Sequence, residues 1–457
     1  MRVPGIGALA VAGNGARAIG IAGEDSTGMA APATDASGET QRPNPRVIGG
    51  IAIDLDRTLT PDAFPRTPGT LAERSGVWRF APLLPAIPED KVVSRWEGNT
   101  PLYWDERLSA YAGLTGGRFG VKHEGHNPTG SFKDRGMTVA VSHANATGAS
   151  VIACASTGNT SASLASYAAT AGIPAIVLIP EGKISVGKLA QTIAYGATVV
   201  QVDGDFDVAL KLLRELVETE NVYLANSVNP YRPEGQKTIV LELLAQLDWQ
   251  VPDIIALPGG NLGNTTAFGK ALTEAFQVGL IPKLPQVITV QAEGAAPFYH
   301  YFQSGFDHYE PVQAETIATA IKIGNPASVE RARETIQITN GIVAAVSDAE
   351  IMDAKAQIDR AGIGCEPASA ASLAGIRKLV AAGEVSPDAT VVGVVTGNVL
   401  KDTDAVARYH FTDEPRHPLA NRPISVPATL DALKRVIHQS RVEGEGSKEE
   451  REKRKEG

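Results

Sequence analysis

The sequence predicts an α/β protein of two domains, each an open parallel sheet with helices on both faces. Short β-branched runs alternate with stretches of helical period: VIACA then TSASLASYAATAG, AIVLIP then SVGKLAQTIAYG, TVVQV then FDVALKLLRELVE, and DIIAL then the segment after NLGN. Strand followed by helix, repeated, requires crossovers that lay helices against parallel strands. Right-handed crossovers leave binding crevices beyond the carboxyl ends of the strands. Length is the other observation, since 457 residues suffice for two buried cores.

Composition narrows the function. The formal charge of −9 leaves no basic stripe for nucleic acid, so an anionic ligand must be held by locally placed donors. Two distant cysteines, Cys154 and Cys365, form no CxxC pair and read as packed small side chains, which fits a reducing cytoplasm better than a disulfide framework. No apolar run approaches the ~18 residues of a membrane span. The eight histidines make no HxxxH or HxH ligand pattern, so no metal site is expected.

Three strand-to-helix junctions carry unusual loops. VIACA ends in Ser156, Thr157, Gly158, Asn159 and Thr160, before an alanine-rich helix. Small polar residues there leave backbone N–H groups free at the positive end of the helix dipole, which suits a carboxylate or phosphate. DIIALP leads into Gly259, Gly260, Asn261, Leu262, Gly263 and Asn264, where glycine lets backbone approach an anion. Neither a Walker loop nor GxGxxG fits this loop, so it points to a phosphorylated ligand without a nucleotide signature. VVGVV ends in Thr396-Gly397-Asn398, a hydroxyl at a strand terminus.

The stretch HNPTGSFKDRGM adds a single lysine, Lys133, behind a Pro-Gly turn at a helix start. A reactive amine, a phosphate cradle and a strand-end hydroxyl are the parts that hold pyridoxal phosphate, whose aldehyde forms a Schiff base with lysine. An amine at a helix N-terminus in a partly apolar pocket loses its proton more readily than in water.

The motifs NPTGSFKDRGM, CASTGNTSAS, GGNLGN and EPASAAS stand in this order, and together they resemble the threonine synthases, pyridoxal-phosphate enzymes of the tryptophan-synthase β-subunit fold. The resemblance runs from about Trp78 to about Arg408. It implies that Lys133 forms the Schiff base, that Asn159 bonds the cofactor's 3′ oxygen, that Gly260, Asn261, Leu262, Gly263 and Asn264 surround its phosphate, and that Thr396 meets the pyridine nitrogen. It also implies that Ser156, Thr157 and Thr160 grip the substrate carboxylate. Asn226, Ser227 and Arg232, with help from Lys188, match positions that bind the phosphate of O-phospho-L-homoserine. A forked guanidinium suits that group. The implied reaction gives L-threonine and phosphate, in an enzyme whose relatives are commonly homodimers.

The expected organisation is an N-terminal extension at 1–45, a large cofactor-binding domain of 46–128 and 229–430, a smaller inserted domain at 129–228, and a charged tail at 440–457. Both termini are expected to be disordered, since they lack apolar periodicity. Glu366 in GCEPASAAS either orients substrate or caps the following helix, and spacing leaves both open. Three alternatives share the scaffold: a threonine or serine dehydratase, a cysteate synthase, and a catalytically silent regulatory module that binds pyridoxal phosphate or another phosphate ligand. The dehydratase needs no substrate-phosphate site, and an intact Lys133 argues against the silent module.

Overall fold

The computed structural model describes residues 51–440 except 183–185, 205, 413–416 and 418, and omits the side chains of 186–188, 206, 207 and 218. The extension expected at 1–45 and the tail, apart from Ser440, lie outside the described residues.

In chain order the strands are β1 (Leu102–Trp104), β2 (Arg118–His123), β3 (Val151–Ala155), β4 (Ala175–Pro180), β5 (Thr198–Val202), β6 (Val222–Leu224), β7 (Ile254–Pro258), β8 (Gln286–Ala292), β9 (Ile342–Val346) and β10 (Thr390–Val395). One sheet has the order β1-β2-β10-β7-β8-β9, the other β5-β4-β3-β6. Every neighbouring pair is parallel except β1 with β2. That antiparallel strand departs from the all-parallel expectation. Three residues at a sheet edge, with Tyr103 and Trp104 partly exposed, are too short to show a period.

Both sheets are covered on two faces, and strand periodicity shows how. Ile254 and Ala256 of β7 enter one core while Ile255 and Leu257 enter the other. In β3, Ile152 and Cys154 face one core and Ala153 and Ala155 the other. Each fully buried Ile or Leu contributes ~1.5–3 kcal/mol relative to exposure. Both cysteines are free and buried.

The chain crosses from the larger sheet to the smaller between β2 and β3, and returns between β6 and β7. Helix Lys133–Ala146 makes the first crossing and helix Tyr231–Gln236 the second, and they pack on each other. Arg135 locks the first in place. Its guanidinium donates to Glu124 (2.7 Å from Nε) and Glu242 (2.9 Å from Nη2), with all three side chains fully buried. Removing one partner of such a buried group costs ~3–5 kcal/mol because the remaining charge is stranded.

Candidate active site

A cleft of about 1470 Å³ opens beyond the carboxyl ends of β3, β7 and β10. Except for Lys188, every expected site residue lines it: Lys133, Ser156, Thr157, Asn159, Thr160, Asn226, Ser227, Arg232, Gly260 to Asn264, and Thr396. Lys188 lies on helix Val186–Ala194, and its side chain is outside the described residues.

Lys133 opens its helix, and the two residues that follow explain how it is presented. Asp134 accepts from the N–H and hydroxyl of Thr129, both at 2.7 Å, and from Ser163 at 2.6 Å, so the turn folds back on the helix start. Burial pushes the Asp134 carboxyl up to about 6, against those hydrogen bonds. The Lys133 amine stands 4.1 Å from the Phe132 ring centroid. Burial and the Arg232 charge bring it down to about 7, while Glu366 pulls the other way.

Arg232 is 2 % exposed, yet among the described residues its Nε has no hydrogen-bond partner and its guanidinium makes a single bond, a 3.5 Å contact from Nη1 to the Ala225 carbonyl. Among the described residues no carboxylate pairs with it, and burial lowers it to about 10. A buried guanidinium left in this state is costly unless an anion completes it. Asn226 beside it is already engaged, accepting from Ala155 N–H at 2.9 Å and donating to the Ala155 carbonyl at 3.3 Å. Its role in this geometry is to pin the end of β3.

The two loops differ in how they present backbone. Helix Asn159–Ala171 starts from Gly158 and helix Gly263–Gln277 from Leu262, neither with a side-chain cap, so first-turn N–H groups face the cleft. Leu262 sits at φ +62 with its side chain buried in the larger sheet's core. Asn261 accepts from the Ala327 N–H at 3.3 Å, while the Asn264 Oδ1 is buried without a partner among the described residues. Segment Thr319–Ile321 lies so close over Gly260 that a Cβ would stand 3.2 Å from the Ala320 carbonyl oxygen.

Thr396 is oriented by Ser369, which sequence reasoning did not single out. The Ser369 hydroxyl accepts from the N–H groups of Thr396 (2.9 Å) and Gly397 (3.0 Å) and lies 2.9 Å from the Thr396 hydroxyl. With both lone pairs occupied, Ser369 donates to Thr396, which leaves the Thr396 proton free for Glu366 at 3.4 Å or for a group in the cleft. Thr396 is thereby left with a proton to donate into the cleft.

Glu366 makes no capping hydrogen bond to helix Pro367–Ala381, which removes the capping alternative. Its carboxylate accepts from Asn159 Nδ2 at 3.0 Å and lies 4 % exposed against the cleft, with burial raising its carboxyl above the ordinary range. Lys401, Gln191, Gln236 and Asn325 also line the cleft unanticipated. No local signal marks them, because each reaches the site by tertiary folding alone.

An uncapped helix start with glycine-opened backbone, a strand-end hydroxyl donor and an amine near neutrality together fit pyridoxal phosphate. The chain is matched by the family "Pyridoxal-phosphate dependent enzyme" over residues 93–397. Solved structures agree in fold: threonine deaminase isoform 2 from Solanum lycopersicum (TM-score 0.59, 21% identity, 79% of this chain and 98% of that one) and maize serine racemase (0.58, 21%, 70% and 94%). Curated relatives are closer. A threonine synthase of Methanocaldococcus jannaschii is 46% identical over 79% of this chain and 87% of its own, and one of Mycobacterium bovis is 49% identical over 71% and 88%. The chain belongs to the pyridoxal-phosphate dependent enzymes and, within them, to the threonine synthase family.

Proposed function

We propose that the chain converts O-phospho-L-homoserine and water to L-threonine and phosphate. The observation that carries this reading is Arg232, a buried, unpaired guanidinium sharing one cleft with the Lys133 amine. A dehydratase acting on an unphosphorylated amino acid has no use for that charge, whereas a substrate phosphate completes it.

In this reading Lys133, Asn159, the backbone of Gly260 to Asn264 and Thr396 hold the cofactor, which when bound supplies an electron sink for the substrate's α-carbon. Ser156, Thr157 and Thr160 receive the substrate carboxylate at the open end of helix Asn159–Ala171. Arg232 and Ser227 receive its phosphate, with Lys188 assisting and Asn226 holding the strand end beneath them. Lys133 Nζ, near neutrality, takes the α-proton and assists proton transfer at Cβ. Residues 129–228, which include all of β3 to β6, form the smaller domain that excludes water until phosphate has left.

We assign the working form to a homodimer, with Trp96 and Trp104 (52% and 37% exposed) as surface a second copy could cover. Light scattering on the purified protein checks this, and a monomeric mass refutes it. The free, buried cysteines support a cytoplasmic location.

The test of function is an assay of cofactor-loaded protein with O-phospho-L-homoserine, following phosphate and identifying the product by mass spectrometry. Stoichiometric phosphate and threonine, both lost in Lys133→Ala, establish the reading. Cofactor-loaded protein that releases no phosphate refutes it. Activity on threonine or serine alone then identifies a dehydratase, and activity on phosphoserine with sulfite a cysteate-forming enzyme.

A further inference from the structure

Lys401 lies in the short 3-10 turn Val399–Lys401, six residues beyond Val395, the last residue of β10 in the larger sheet. Its stem runs over Gly130, whose φ of +85 and missing Cβ make the room, since a Cβ there would stand 3.3 Å from Lys401 Cδ. Its ammonium then donates in two directions. One bond goes to the Thr129 carbonyl at 3.0 Å, in the turn that presents Lys133. The other goes to Gln191 Oε1, on helix Val186–Ala194 behind the smaller sheet. That helix packs on helix Asn159–Ala171, and Thr192 donates to Ser161 at 3.2 Å between them. Burial lowers the pKa of this ammonium, while the Glu366 and Asp134 carboxylates favour its charge.

We propose that Lys401 is a positioning residue for the reaction: a cross-cleft clasp that fixes the lysine-bearing turn and the Asn159–Ala171 helix at one separation while substrate is bound. One ammonium joins three pieces that approach the cleft from different sheets. The consequence falls on water. If helix Val186–Ala194 lifts while the substrate is unsaturated, the Lys133 amine takes the substrate nitrogen's place and an enamine escapes before water adds at Cβ; one water then hydrolyses that enamine to the four-carbon 2-oxo acid and ammonia. The kinetic arm of this proposal rests on the threonine-forming reading, whereas its exchange arm needs no substrate.

The experiment uses the full chain, cofactor-loaded, as wild type, Lys401→Met, Gln191→Leu and the double variant. Amide hydrogen exchange is read over Val186–Ala194 without substrate, with helix Gly263–Gln277 as internal control. Both single variants should speed exchange in the first helix by about tenfold and leave the second unchanged. The double variant should be no faster than the faster single, because the two side chains share one contact. With O-phospho-L-homoserine, kcat should fall more than KM rises, and the share of 2-oxo acid in the product should grow. Unchanged exchange in both singles overturns the proposal. So does loss of turnover in Lys401→Met with Gln191→Leu at wild-type rate and product ratio, which would make Lys401 a substrate ligand. Should Lys401→Met fail to fold, Gln191→Leu alone decides, since Gln191 is only partly buried on its helix. A wild type that makes no threonine refutes the functional reading and leaves the exchange result standing.

Discussion

The Lys133 amine is held at about 7 against an ordinary 10.5, and this depression can be measured in the cofactor-free protein. At pH 7.5 a group titrating near 7 is roughly three-quarters neutral, whereas an ordinary lysine is neutral in ~0.1 % of molecules, a difference of several hundredfold in reactive amine. The perturbation is pH, followed by Arg232→Gln and Glu366→Gln. The assay is stopped-flow uptake of pyridoxal phosphate at saturation, read by its visible absorbance from pH 6 to 10. The rate should level off above a midpoint near 7. Removing the Arg232 charge should move that midpoint up by on the order of one pH unit, and removing Glu366 should move it down. The second shift should be smaller, because burial keeps the Glu366 carboxyl protonated further up the scale. A rate still climbing at pH 10, or both variants shifting the same way, would refute the reasoning. The sign for stability follows as well. Below pH 7 the fold bears the whole cost of the buried charge, and between about 7 and 10.5 the unfolded chain binds the extra proton, so cofactor-free stability from this group rises with pH.

Arg232→Ala should lower kcat/KM for the phosphorylated substrate by about 10²-fold, the value of a lost charged hydrogen bond, in steady-state assays. The same variant should leave the denaturation midpoint unchanged or raised, since it removes a buried charge that lacks a partner. Leu262→Gly loses ~2–3 kcal/mol of core burial and recovers ~1 kcal/mol of left-handed strain, for a net loss of ~1–2 kcal/mol in urea unfolding. Gly260→Ala forces segment Thr319–Ile321 outward by a few tenths of an ångström, and dialysis should show cofactor retention weakened by about tenfold.

What the sequence disclosed was local. Lys133, the Ser156 to Thr160 loop and the Gly260 to Asn264 loop stand at junctions where strand period changes to helix period, and junction chemistry is visible within a dozen residues. The parallel pairing of β3, β4 and β5 and of β7 and β10 followed from the same alternation, whereas β1 was too short to read. Side chains that matter through reach were hidden. Lys401 meets Gln191 across 210 positions, and Glu366 meets Asn159 across 207. Glu366 was visible as a residue but ambiguous in role, because a helix-start glutamate looks the same whether it caps or turns away. Ser369 was hidden for another reason, since a serine in an alanine-rich helix carries no mark of accepting two N–H groups from a neighbouring strand end.

The chain places two of the cleft's basic side chains on its two crossings, Lys133 on the way out to the smaller sheet and Arg232 on the way back. Neither sheet alone therefore owns the chemistry. In the proposed reading the cofactor is held by Asn159 beyond the smaller sheet and by Gly260 to Asn264 and Thr396 beyond the larger, so it cross-links the two, and its binding free energy adds to the cohesion of the whole in proportion to the logarithm of its concentration. The cofactor then works as a tally of assembly: protein in which either sheet has come apart has no means of keeping it, and retained colour in a partly denatured sample counts the molecules whose two halves still meet.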